Sequence, residues 1–175
     1  FKEASSFNQD LSVWNVSSVT IMTSMFINAT SFNGDISTWD ISSVTNMNGM
    51  FYQATSFNQD LSSWDVSSVT DMYCMFYNAA NFNQDLSGWD VSSATIMYQM
   101  FSGATSFNQD LSSWDVSSVT NMTNMFNSTD ALSDANKCAI HTTFSSNAIW
   151  PYDWSETCGD TVFQPTTKDE LQTAV

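Results

Sequence analysis

Carboxylates at a fixed spacing are the residues of this chain best suited to chemistry. Asp40, Asp65, Asp90 and Asp115 stand 25 residues apart with Asn15 heading the same column, and Asp10, Asp35, Asp60, Asp85 and Asp110 form a second. Carboxylate pairs serve glycosidases, which need two groups in divergent environments within a cleft. A column repeated at constant spacing gives every member nearly the same environment, so that division of labour is not expected. Neighbours set at the ~4.8 Å of adjacent strands would repel by about 1 kcal/mol in water and by more at lower effective dielectric. Two arrangements relieve the repulsion. One is solvent, flanking serine hydroxyls and the amides of the following turn. The other is an oxygen-seeking cation between rungs, with Ca²⁺ the candidate ion and Asp40, Asp65, Asp90 and Asp115 its candidate ligands, joined by the Asp10 column. No EF-hand or glycine-aspartate nonapeptide pattern accompanies the columns, and no cofactor is required by anything in the chain.

Other chemistries find less support. His141 is the single histidine, so a Ser-His-Asp or Cys-His arrangement would have to be built around it alone. There is no phosphate-cradling glycine loop and no clustered Cys/His metal set. A non-enzymatic protein is the expectation. Tyr52 and Tyr77 share one column of the repeat while Tyr73 and Tyr98 share another. Tyrosine gives wide contact area with a polar tip, so these four either shield the back of the fold or form a glycan-stacking or protein-docking patch. Asn28, Asn121 and Asn127 open N-glycosylation sequons, as does Asn15 in a sterically awkward place.

The elements that would position these groups follow from the repeat. Phe7, Phe32, Phe57, Phe82 and Phe107 are 25 residues apart, as are Trp14, Trp39, Trp64, Trp89 and Trp114. Such a period marks an array in which each unit buries its apolar face on its neighbours. Leu11-x-x-Trp14-x-Val16 and its copies have the frame of a leucine-rich repeat, and alternation predicts a short strand with Trp14 and Val16 inward and Asn15 outward. Ser17-Ser18 reads as a helix N-cap. Val19, Met22, Met25, Phe26 and Ala29 then follow on one face of a short helix. The expected fold is an α/β repeat solenoid, a leucine-rich-repeat-like right-handed coil of short parallel strands and short helices with a C-terminal helical and aromatic cap. The ten methionines and the Phe26 column are core packing. The column of Asn8, Asn33, Asn58, Asn83 and Asn108 bonds along the stack.

Residues 1 to about 130 resemble the BspA-like leucine-rich repeat of microbial surface proteins, in the form Phe-Asn-x-Asp-Ile/Leu-Ser-x-Trp-Asp-Val-Ser-x-Val-Thr-x-Met-x-x-Met-Phe. The segment from Thr166 to Val175 is similar to the lead-in that family places before a further repeat block. The resemblance implies a secreted or surface-displayed protein used in adhesion or protein interaction, and it supplies no catalytic residues.

From Asp130 the period fails. Ser133-Asp134-Ala135 predicts a helix start, with Leu132, Ala135, Ala139, Ile140 and Phe144 covering the last coil and Trp150 to Trp154 laying aromatic bulk over it. Cys138 and Cys158 bracket this cap; a disulfide closing a loop of about 20 residues would contribute ~3 kcal/mol and place the chain in an oxidising compartment. Cys74 is left over, a free thiol on a helix edge or an intermolecular partner. The organisation is thus residues 1–131 as repeats, 132–163 as cap and 164–175 as linker or lead-in.

A formal charge of −15, with three lysines and no arginine, repels a phosphate backbone and an anionic membrane. Nucleic acid is therefore excluded as a partner. No apolar run approaches the ~20 residues of a membrane span, and Phe1 opens within a repeat, so any signal peptide or earlier repeats are expected outside this sequence. The expectation is extracellular or cell-surface recognition or adhesion, binding protein or glycan through the Asp-lined or Tyr-bearing face. The alternative is a homo-oligomeric subunit of a surface layer or filament. The minor alternative is ice or mineral binding through the ladder of Thr20, Thr45, Thr70, Thr95 and Thr120.

Overall fold

A computed structural model describes residues 1–159; the lead-in expected over 166–175 lies outside them. The expected α/β solenoid of parallel strands and short helices does not form. Among the described residues the regular elements are one α-helix, α1 (Asp134–Phe144), and a single 3-10 turn at Ser155–Cys158. Parallel pairing is confined to isolated bridges linking Ile21, Asn46, Asp71, Ile96 and Asn121 in succession.

Each 25-residue unit is a chain of tight turns. Where a strand was expected, the Trp14 N–H closes a turn onto the Leu11 carbonyl at 3.0 Å and the Val19 N–H another onto Val16 at 2.8 Å. The side chains beneath the Asp-x-Ser stretches explain why. An aspartate oxygen accepts the N–H two residues on and folds the backbone locally, in competition with any ladder. Where a helix was expected, Met25, Ile27 and Ala29 donate three residues back to Met22, Ser24 and Phe26. The intervening N–H groups of Met22, Ser24, Phe26 and Asn28 donate instead to Asn46, Asn48, Met50 and Tyr52 of the next unit, at 2.8–2.9 Å. Ser24 and Asn28 hold φ of +57° and +59°, and both columns keep this left-handed conformation in later units, through Cys74, Gln99 and Asn124 and through Gln53, Asn78 and Ser128. A left-handed residue costs ~1–2 kcal/mol. Here it turns an amide along the stack, where it gains a hydrogen bond that a helix would have kept to itself.

Units therefore lie over one another in 25-residue register. Phe26, Phe51, Phe76 and Phe101 stack at 5.5–5.6 Å between units and pair at 3.9–4.3 Å with Phe32, Phe57, Phe82 and Phe107 of their own unit. All of these rings are fully buried, as are nearly all the methionines. Trp39, Trp64, Trp89 and Trp114 are buried as expected, whereas Trp14, also expected inward, is 48% exposed.

After Thr129 the chain leaves the repeat for the cap. Ser133 accepts the Asn136 N–H at the start of α1. Ile140 and Phe144 are buried with Leu132, while Ala135, expected inward, is exposed. Cys138 and Cys158 are disulfide-bonded with Cα atoms 4.7 Å apart, tying α1 to the 3-10 turn.

Candidate recognition surfaces

The aspartate columns stand on the turn face, one rung per unit, all exposed except the half-buried Asp35. Oδ1 of Asp40, Asp65, Asp90 and Asp115 accepts the N–H of Ser42, Ser67, Ser92 and Ser117 at 2.9–3.2 Å. The hydroxyls of Ser42, Ser67 and Ser92 add bonds of 2.6–2.7 Å. Asn15 makes the same pair of contacts with Ser17. In the second column Asp10, Asp60, Asp85 and Asp110 accept from Ser12, Ser62, Ser87 and Ser112 at 2.7–2.8 Å. The serine hydroxyl and amide hold the Asp40, Asp65 and Asp90 carboxyls below the ordinary aspartate range. For Asp65, repulsion from Asp90 and Asp40 opposes that shift and is the weaker effect. Each carboxylate is thus first a staple for its own turn. Among the described residues no three His, Cys, Asp or Glu side chains gather as a metal site.

The four tyrosines do come together across the middle units. Tyr52 stacks on Tyr77 at 4.6 Å and Tyr73 on Tyr98 at 5.0 Å, with planes within 14°. Within each pair, one face of each ring lies against its partner. Tyr73 is 40% exposed and the others are half-buried. Beneath them Cys74 is buried, on a left-handed turn residue rather than a helix edge. Burial pushes its thiol up to about 11, and Sγ lies 3.8 Å from Gln99 Oε1. Burial also raises the Tyr52 phenol, with Tyr77 and Cys74 adding to it.

The threonine ladder is exposed, but its hydroxyls are committed. Thr45, Thr70, Thr95 and Thr120 Oγ1 each donate to the carbonyl of the threonine one unit earlier, at 3.0–3.3 Å. Of the sequon asparagines, Asn28 buries Oδ1 without a hydrogen-bond partner among the described residues, Asn121 accepts the Thr123 N–H, and Asn127 is exposed. His141 Nδ1 accepts the Trp150 indole N–H at 3.1 Å within the cap.

Two ladders give these faces their rigidity. Asn33, Asn58, Asn83 and Asn108 each donate a backbone N–H to the preceding asparagine Oδ1 at 2.8–2.9 Å. The second ladder escaped the sequence reading. The indole N–H of Trp39, Trp64, Trp89 and Trp114 reaches back 28 residues to the carbonyl of Leu11, Ile36, Leu61 and Leu86, at 2.9–3.1 Å. A buried tryptophan N–H needs an acceptor, so the recurring tryptophan was itself the signal.

The cap copies these contacts. Ser133 donates its N–H to Asn108 Oδ1, the Asn136 amide reaches Asn108 O, and the Tyr152 hydroxyl accepts the Phe126 N–H. Asn147 Nδ2 donates to the Val116 and Val119 carbonyls. Every surface described thus depends on one repeating unit and on a terminator that imitates it. No curated protein and no solved structure matches the chain. A family model does match, over residues 1–79 and again over 60–146. These stretches take in the turns, both ladders and α1, and the chain belongs to the family described as Mycoplasma protein of unknown function, DUF285.

Proposed function

We propose that this chain is a non-catalytic recognition or adhesion module, displayed outside the cell, that binds a protein or glycan partner through its tyrosine-bearing face. The observation that carries the reading is the pair of tyrosine stacks, placed on an exposed face by turns locked into the array. A rigid aromatic patch loses little entropy on binding. Pairwise stacking already occupies one face of each ring, which favours a protein surface over sugar rings as the partner. The disulfide supports an oxidising location, and among the described residues no helix is long and apolar enough to cross a membrane.

The test is binding of the purified chain to immobilised panels of extracellular-matrix proteins and of glycans, beside the Tyr73→Ala/Tyr98→Ala variant. The expected result is a saturable interaction weakened at least ~10-fold in the variant, a scale set by loss of aromatic anchors. Equal binding by the variant, or none by the wild type on either panel, rejects the reading. Calcium is not required by it, because each aspartate already closes its own turn. A melt taken from chelator to millimolar Ca²⁺ shows whether the ladders also hold the ion, through a rise in midpoint.

A second reading, a self-assembling subunit of a surface layer or filament, draws on the first unit. Val13 is 90% exposed and Ile21 63%, apolar side chains open to a neighbouring copy. Sedimentation across a concentration series separates the two, since assembly requires mass to grow with concentration.

A further inference from the structure

We propose that the tyrosine-bearing face takes a basic segment of a partner protein, an arginine of which pairs with Asp71 and packs against Tyr73 and Tyr98; this rests on the reading of that face as the binding surface. Asp71 stands apart in the sequence of the array. The segment from Thr20 to Ala29 and its later copies, the last ending at Thr129, hold the four clustered tyrosines, no lysine or arginine, and Asp71 as their single carboxylate. Parallel bridges set Asp71 between Asn46 and Ile96 of the adjoining units. Met72 and Met97 are fully buried, and alternation about them turns Asp71 with Tyr73, and Ile96 with Tyr98, to the outside. Asp71 is half-buried there. The lone charge of this face thus lies beside its most exposed tyrosine stack.

The fold does not need that charge. Asp71 Oδ1 accepts the Tyr73 N–H at 2.9 Å, but Asn46 and Asn121 of the same column accept from Asn48 and Thr123 at 2.9 and 3.1 Å. An amide closes the turn as well as a carboxylate does. Asp71 Oδ2 accepts the Asn46 side-chain amide at 3.2 Å, and a carboxylate with two such bonds still has lone pairs to offer. A guanidinium suits them, because its planar fork meets a carboxylate through two donors while its flat face lies against aromatic rings, a combination that a lysine ammonium lacks. The formal charge of −15 draws a basic surface in and repels an acidic one. A second copy of the chain has no arginine to supply and carries the same charge.

A fluorescently labelled peptide of alternating arginine and serine, titrated with the full chain and read by anisotropy, tests this beside its lysine counterpart. Three variants accompany the parent: Asp71→Asn, which keeps the turn as Asn46 does, Asp130→Asn, and Tyr73→Ala/Tyr98→Ala. The two asparagine substitutions remove the same charge, but Asp130 is exposed beyond the unit that follows that of Tyr98. The expected result is binding of the arginine peptide weakened at least ~5-fold by Asp71→Asn and by the tyrosine variant and less than ~2-fold by Asp130→Asn, with the lysine peptide bound more weakly by the parent. Equal losses from Asp71→Asn and Asp130→Asn overturn the proposal, since overall charge would then be the attraction. Equal affinity for the two peptides, or no binding of either, overturns it too. A loss confined to the tyrosine variant overturns the role of Asp71 and leaves the tyrosine face standing as the binding surface; binding that none of the three variants weakens overturns both.

Discussion

Replacing Trp64 by phenylalanine measures how much the indole ladder contributes. Trp64 is 3% exposed, stacks on Trp39 at 6.4 Å and donates to the Ile36 carbonyl at 3.1 Å. That carbonyl also accepts the Trp39 N–H at 3.2 Å, so the substitution leaves it with one partner. The hydrogen-bond loss is therefore the ordinary net value of ~1 kcal/mol rather than the larger penalty of an orphaned buried group. Phenylalanine lacks the second ring, and the void it leaves in a close-packed column adds about 1–2 kcal/mol. The sum of about 2–3 kcal/mol corresponds to a drop in Tm of about 4–12 °C for a chain of this size. The control is the same substitution at Trp14, which is half exposed and has no acceptor among the described residues; its expected cost is under ~0.5 kcal/mol. Both variants are compared with the parent by thermal melts and urea titration. Equal losses at the two sites would refute the reasoning, because they would mean that the cost lies in the residue type and not in its place in the ladder.

Other outcomes follow from neighbouring features. Asp40, Asp65 and Asp90 have carboxyls held below their ordinary range by serine, so the folded state binds fewer protons than the unfolded chain. The stability they add is present above about pH 4 and is lost as pH falls through the lower native values. Asp65→Asn keeps the turn acceptor, as Asn15 does, and should show a smaller fall in Tm between pH 7 and pH 3 than the parent. An added Cβ at Gly34 would overlap the Gln9 carbonyl, whereas one at Gly88 meets nothing within 4 Å. Gly34→Ala should cost about 1–3 kcal/mol by overpacking and Gly88→Ala almost nothing, as read from urea midpoints. Cys138→Ser removes the bridge across a separation of 20 residues and should lower stability by ~3 kcal/mol, with faster proteolysis beginning in the cap.

The register of the array could be read from Phe7, Trp14 and Asn8 and their copies, because bulky and amide side chains recur only where neighbouring units must meet. The conformation within a unit could not. Val19, Met22, Met25, Phe26 and Ala29 fit one face of a helix and fit a run of tight turns equally well. What separates the two is the columns through Ser24 and Asn28, in which Gly49, Gly103, Asn78 and Asn124 also appear. Asparagine and glycine accept left-handed backbone at least cost. In the same way Asp10-x-Ser12 and Asn15-x-Ser17 carry turn chemistry inside a stretch whose alternation suggests a strand. Among surface residues, the clustering of Tyr52, Tyr73, Tyr77 and Tyr98 was apparent from shared columns. That one face of each ring would lie against its partner was not, since the offset of stacked rings depends on the spacing of the coils beneath.

The cap recognises only features that every coil shares: an asparagine Oδ1, a phenylalanine N–H and the carbonyls that flank the second turn. Residues 56–70 and 106–120 are identical in sequence, so recombination between their coding segments would remove or insert whole units without breaking register. Whichever coil then came last would still present what Ser133, Asn147 and Tyr152 bind. Array length can drift by unequal exchange while the terminator stays unchanged, and the number of tyrosine-bearing units a lineage displays becomes a trait open to selection.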